Sequence, residues 1–288
     1  MMTAEIFDIE RNSYVDGPGL RTTVFFKGCN LNCRWCHNPE SKSRGKVFLY
    51  YQDKCTHCGL CARLCPEKAV DKTGFRDPAK CTFCGKCEKY CPQRARKVCG
   101  RQASLEELLN VIEKDADYYE ATGGGVTCSG GECMLQLDFL EEFLKALKEK
   151  GYDTAVDTAG NLPFASFERV LPYADHFLYD VKCVTPSLHT WGTGVDNARI
   201  LENLKKLLAL CPEKVIVRVP VIPGFNAEDE EIGRIADFFR ENGRPQLLEA
   251  LPYHALGENK ARAMGKEPMV SHAPSKEDMA RYQKILKG

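Results

Sequence analysis

The sequence carries no excess charge of either sign: 40 Lys plus Arg stand against 40 Asp plus Glu in 288 residues. That balance removes the usual electrostatic reason to bind nucleic acid or an anionic membrane over a broad face. Also missing is any apolar run near the roughly 20 residues that a membrane span requires. The opening "MMTAEIFDIERNSYVDGPG" lacks the basic start and apolar core of a secretory leader. These absences lead us to expect a cytoplasmic protein without nucleic-acid or membrane partners. The length suits one large domain carrying a small insert, or two modest domains.

What the sequence does have is cysteine, 16 in all. A disulfide scaffold is the reading for a short secreted chain, and this chain fits neither description. Clustered thiols here read as metal ligands.

Eight of the cysteines form a twofold repeat. "CTHCGLCARLCP" supplies Cys55, Cys58, Cys61 and Cys65, and "CTFCGKCEKYCP" supplies Cys81, Cys84, Cys87 and Cys91. Each copy fits the C-x2-C-x2-C-x3-C-P run of bacterial two-cluster ferredoxins, in which the fourth cysteine serves the other copy's cluster. Cross-ligation then predicts Cys55, Cys58, Cys61 and Cys91 on one [4Fe-4S] cubane, with Cys81, Cys84, Cys87 and Cys65 on the second. Gly59 and Gly85 relieve crowding where the backbone wraps each cluster. Zinc ribbons use similar C-x2-C hooks, but zinc calls for neither the third close cysteine nor the C-x3-C-P tail.

A third stretch differs. "GCNLNCRWCHN" places Cys29, Cys33 and Cys36 within eight positions and offers no fourth cysteine nearby. A cubane on three thiolates leaves one iron open, and an open position is a feature of catalytic rather than structural metal centres.

Outside the repeat, short β-rich runs alternate with amphipathic helices. Strands are expected at 23–26, 125–128, 153–157, 176–181, 214–219 and 246–251. Leu140, Phe143, Leu144 and Leu147 recur at helical spacing, as do Leu201, Leu204, Leu207 and Leu208, then Ile232, Ile235, Ala236 and Phe239. Ser104 with Glu107 has the form of a capping box, and Ser275 opens a last helix bearing Met279, Tyr282, Ile285 and Leu286. Six β-α units predict an α/β fold, a parallel sheet curled into a partial (β/α)6 barrel with its site at the C-terminal strand ends. The domains expected are a barrel part at 1–49, a ferredoxin-like insert at 50–95 and the rest of the barrel at 96–288.

Polar groups gather at those strand ends: "SGGE" at 129–132, Asp157, Asp180, Lys182, Arg218 and His254. By residue type alone, the aspartates could equally be strand-end caps or ion-pair partners, Lys182 and Arg218 solvated charges, and His254 a satisfied histidine beside Pro252. Asp16 to Gly19 could be a plain turn. Cys99, Cys128, Cys133, Cys183 and Cys211 read as small buried hydrophobes.

The C-x3-C-x2-C run with Trp35 before its last cysteine resembles the signature of radical S-adenosylmethionine (SAM) enzymes. "DGPGLRTTVFFKGC", "CRWCHNPES", "GGGVTCSGGE", "VDTAG", "YDVK", "VRVPVIPGF" and "LPYHALGENK" together resemble the glycyl radical enzyme activating enzymes over nearly the whole chain. The insert departs from the pyruvate formate-lyase activase and is similar to that of activases serving other partners, such as choline lyase, glycerol and hydroxyproline dehydratases and arylacetate decarboxylases.

The resemblance implies an oxidoreductase that cleaves SAM reductively and abstracts a hydrogen from a glycine Cα of a partner glycyl radical enzyme. It implies three [4Fe-4S] clusters, the catalytic one on Cys29, Cys33 and Cys36, a flavodoxin or ferredoxin-type reductant, and an anaerobic setting. It also implies Trp35 near the adenine, and Gly130, Gly131 and Glu132 at the methionine amino group. Asp157 and Asp180 would bind SAM through a monovalent cation, with Lys182, Arg218 and His254 completing the pocket. Asp16 and Asn38 would lie where the partner's glycine loop enters. A radical SAM enzyme acting on a small molecule, or a multi-cluster electron-transfer protein, are the alternatives.

Overall fold

Parallel strands buried on both faces need continuous apolar runs, and this chain supplies them between its helices. The computed structural model describes residues 2–269 and 271–288. The strands are β1 (Thr3–Ser13), β2 (Arg21–Phe26), β3 (Val47–Tyr50), β4 (Arg96–Cys99), β5 (Arg101–Ser104), β6 (Gly125–Gly130), β7 (Asp153–Thr158), β8 (His176–Asp180), β9 (Val215–Val221) and β10 (Leu247–Pro252). Eight of them form one sheet in the order β10-β9-β8-β7-β6-β2-β1-β5.

From β2 to β10 every neighbouring pair is parallel, which matches the six expected strands. β1 and β5 extend the sheet antiparallel beyond β2 and were not expected from the sequence. β1 carries Glu5, Asp8, Glu10 and Arg11 among few apolar residues, so its pattern looks like a surface segment.

The larger helices cover the sheet: α3 (Leu105–Ile112), α4 (Ala116–Thr122), α5 (Leu137–Glu149), α6 (Phe164–Val170), α7 (Pro186–Thr193), α8 (Ala198–Leu210), α9 (Asp229–Asn242), α10 (Leu256–Ala263) and α11 (Lys276–Lys287), numbered after two short helices described below. The predicted faces point inward. Leu140, Phe143, Leu144 and Leu147 are fully buried, as are Leu204, Leu207, Ile232 and Ile235. Each such side chain stabilises the fold by about 1.5–3 kcal/mol. Ser104 and Ser275 both cap as expected, accepting from the amides of Glu107 and Asp278. The Glu107 carboxylate turns to Arg101 instead of completing a capping box. No helix among the described residues is long and apolar enough to cross a membrane.

β3 and β4 form a separate two-stranded ribbon with Tyr50 opposite Arg96, and the cysteine repeat hangs between them. Within it, α1 (Leu60–Leu64) and α2 (Lys86–Lys89) each follow a left-handed glycine, Gly59 and Gly85. The backbone repeats as faithfully as the sequence. His57 and Phe83 have φ of 52° and 54°, Lys68 and Arg94 have 49° and 50°. Cys65 and Cys91 accept from the amides of Ala69 and Ala95 at 3.2 and 3.3 Å. Side chains other than glycine hold such conformations only where their surroundings over-determine them.

Candidate active site

The three-cysteine loop leaves β2 at Lys27 and crosses the C-terminal ends of the parallel strands. It is seated by backbone contact. The Glu132 amide donates to the Gly28 carbonyl at 2.8 Å, and the Gly131 amide to Phe26 at 2.9 Å. A Cβ on Gly131 would fall 2.2 Å from the Gly28 carbonyl oxygen and 3.2 Å from the Cys29 Cβ. Only glycine permits that approach. Burial pushes the Cys29 thiol up to about 12 and Cys36 to about 11. Thiolates in such a place require a positive counterpart.

A line of charge runs beside the loop along the strand tips. Ser129 donates to Asp157 at 2.6 Å. Arg218 donates to Asp157 and, at 3.1 Å, to Asp180, its partner in the β8–β9 register. Lys182 completes the row at 3.0 Å from Asp180. Burial alone would push Lys182 and Arg218 down, but the aspartates reverse this and raise both. Four charges of balanced sign thus sit at strand ends with side-chain exposures of 9% to 25%. Cys33 feels this row: burial raises its thiol, and Lys182 opposes the shift most.

Glu132 lies under the site. Its carboxylate accepts from the Thr158 hydroxyl at 2.9 and 3.0 Å, the Ala159 amide at 3.0 Å and the Met134 amide at 3.3 Å. Burial nevertheless pushes its pKa up to about 7. These donors come from the turn after Glu132 and from the end of β7.

The other expected residues occupy distinct positions. Trp35 is buried against Phe225, ring centroids 4.2 Å apart, and borders a cavity of about 660 Å³ shared with Cys33, Cys36, Trp191 and Tyr253. Asn38 accepts from Lys260 at 2.8 Å. Asp16 accepts from Ser13 and Thr23 at 2.6 and 2.8 Å, which fastens its loop to β1 and β2. That loop meets the "GGG" stretch backbone to backbone, since a Cβ on Gly19 would fall 2.5 Å from Gly124. Tyr14 and Val15 beside it are exposed.

The eight repeat cysteines separate into two sets. One cavity is lined by Cys55, Cys58, Cys61 and Cys91, and the other by Cys65, Cys81, Cys84 and Cys87. Each set takes its fourth cysteine from the other copy of the repeat.

Residues 78–237, more than half of the chain, match the Radical SAM superfamily, and residues 15–65 match a 4Fe-4S single cluster domain. The chain is 41% identical over 277 residues to the indoleacetate decarboxylase activating enzyme of Tractidigestivibacter scatoligenes, covering 92% of this chain and 87% of that one. It is 40% identical over 293 residues to the trans-4-hydroxy-L-proline dehydratase activating enzyme of Clostridioides difficile, covering 99% and 96%. The chain belongs to the glycyl radical enzyme activating enzymes. Among solved structures, a radical SAM methyltransferase from Sphaerobacter thermophilus superposes with a TM-score of 0.55 at 15% identity, over 99% of this chain and 70% of that one, which shows the shared fold.

As a member of this family, the activating enzyme uses SAM with an iron–sulfur cluster and acts on a glycyl radical enzyme. Several residues that shape its site were not singled out in the sequence. Thr158 holds the Glu132 carboxylate, Lys260 holds Asn38, and His37 stacks on His254 at 3.5 Å. "CHN" directly after a cluster cysteine was the available signal for His37, but its partner comes from beyond β10.

Proposed function

We propose that Cys29, Cys33 and Cys36 hold a [4Fe-4S] cluster, and that the charge row from Asp157 to Lys182 binds the aminoacyl end of SAM beside it. The observation that carries this reading is the three-thiol loop packed on Gly130 and Gly131 next to balanced charges. The amino acid end of SAM carries an ammonium, a carboxylate and an adjacent sulfonium, so paired acids and bases at fixed spacing suit it. A monovalent cation between Asp157 and Asp180 would take over part of the role that Arg218 has between them.

When bound, the cluster and SAM together supply the reductive cleavage that yields methionine and a 5′-deoxyadenosyl radical, the hydrogen abstractor. The protein's share is placement and exclusion. Gly130 and Gly131 let the backbone approach, Glu132 would meet the methionine amino group, and Trp35 with Phe225 forms an apolar wall. Asp16, in the loop of the exposed Tyr14 and Val15, and Asn38, held by Lys260, would meet a glycine-bearing loop.

The sheet with its cysteine-rich appendage reads as a partial (β/α)6 barrel carrying a two-cluster ferredoxin-like insert at 50–95. The sorting of eight cysteines into two sets of four supports the second and third clusters. A flavodoxin or ferredoxin-type protein would be the reductant. The near-equal identities to activases with unlike partners leave the choice of glycyl radical enzyme to experiment.

The test is anaerobic. The chain is reconstituted, reduced and given SAM, and 5′-deoxyadenosine is quantified beside a chain with Cys29, Cys33 and Cys36 all changed to Ala. Product from the unaltered chain alone, followed by a glycyl radical signal on a partner encoded nearby, is the expected result. A chain with intact clusters that makes no 5′-deoxyadenosine would overturn the reading.

A further inference from the structure

Arg96, buried, and Arg76, half-buried, stand in the cysteine-rich appendage without the carboxylate partners that such charges normally require. Arg96 is 2% exposed and lines the first cysteine cavity, and Arg76 lines the second. On each, one terminal guanidinium nitrogen is buried with no hydrogen-bond partner. Asp77 pairs with Lys80, Asp8 with Lys97, and Glu88 accepts from the Val98 amide, while Glu67, which lines the second cavity with Arg76, makes no ion pair with it. The other end of Arg96 donates to the Gly74 carbonyl, so its guanidinium is held in place.

Phe48 lies between the two cations, 4.7 Å from the Arg76 guanidinium and 5.6 Å from that of Arg96. Tyr50 adds a second ring 4.5 Å from Arg96. Ring faces attract a cation but do not replace hydrogen bonds to its nitrogens. An unpaired buried guanidinium is costly unless an anion lies within reach.

A [4Fe-4S] cluster with four thiolates is an anion with sulfur acceptors over its surface. We propose that Arg96 is the counter-charge of the first auxiliary cluster, giving its free nitrogen to cluster or cysteinyl sulfur, and that Arg76 serves the second cluster likewise. Each arginine thereby holds the reduction potential of its cluster up, because each one-electron reduction adds negative charge beside a fixed cation. The inference rests on the two-cluster reading of the appendage.

The test is a redox titration followed by electron paramagnetic resonance. It uses the full chain with Cys29, Cys33 and Cys36 changed to Ala, so that only auxiliary signals remain. Iron and sulfide are assayed first, and less than two cubanes' worth would refute the two-cluster reading itself. With both clusters present, Arg96→Met is expected to lower the reduced-to-oxidised ratio at the parent midpoint at least tenfold, a shift of about 59 mV to more negative potential. Arg96→Lys, which keeps the charge, should recover most of it. A fully loaded Arg96→Met chain with unchanged midpoints would overturn the proposal. If Arg96→Met fails to assemble clusters, Arg76→Met decides the matter: a negative shift of the second cluster supports the counter-charge role, and none overturns it.

Discussion

The imidazoles of His37 and His254 lie face to face, ring centroids 3.5 Å apart and planes inclined by 28°. Burial, then the neighbouring His254, pushes His37 down to about 4, and burial lowers His254 as well. Two neutral rings therefore clamp the cluster loop to the end of β10 across the neutral pH range. His254→Phe should keep the contact, whereas His254→Ala should lose about 1 kcal/mol. Urea denaturation of the cluster-free chain checks this, and equal stability of the two variants would rule out a structural clamp.

Gly131→Ala tests the seat of the loop. A methyl group 2.2 Å from the Gly28 carbonyl must displace the backbone that carries Cys29. We expect 5′-deoxyadenosine formation to fall about 100-fold, as for displacements near 1 Å at a reacting centre. Iron bound by the repeat cysteines should be retained, which separates local displacement from misfolding.

Glu132 gives the fold a pH dependence of defined sign. Its folded pKa of about 7 lies above the usual carboxylate value, so its stabilisation is complete below about pH 4.5 and is lost as pH rises through 7. The full span amounts to about 3 kcal/mol. Glu132→Gln cannot titrate, so the cluster-free variant should gain on the parent between pH 5 and 8. Parallel stability curves would remove Glu132 as the source.

Arg218→Met would leave Asp157 and Asp180 side by side without the cation between them. Allowing for partial water access, the expected cost is about 2–4 kcal/mol. Adding Asp157→Asn should restore part of it, and this double-mutant comparison is readable by denaturant unfolding. Strictly additive losses would show that the row is not one coupled unit.

Replacing Cys58 or Cys84 with Ala should leave SAM cleavage driven by a small chemical reductant largely intact, while cleavage driven by a flavodoxin or ferredoxin-type donor falls. Unchanged rates with the protein donor would exclude the repeat as an obligatory electron relay.

The parts of this protein readable from sequence are those governed by local rules. Apolar runs and helical periodicity located the six parallel strands and the faces of α5, α8, α9 and α11, because burial acts on residues close in the chain. Cysteine spacing sorted the eight repeat thiols, because ligand loops are short. Less legible were relationships made by folding alone. β1 hides its pairing under charged residues, and Arg96 reads as an ordinary charge until the ribbon carries it to the first cysteine cavity. The "SGGE" motif was visible, but the donors to the Glu132 carboxylate, Thr158 and Ala159, come from one strand away.

The β3–β4 ribbon also bears on ancestry. Because Tyr50 and Arg96 sit opposite each other on one ladder, the chain departs and returns at adjacent points. The main sheet's register makes no use of what lies between. A tight hairpin could replace residues 51–95 without shifting any strand of the main sheet, and another module could be grafted at the same place. Lineages could therefore have gained, lost or exchanged this appendage in a single step, while the residues around Cys29, Cys33 and Cys36 evolved under separate constraints.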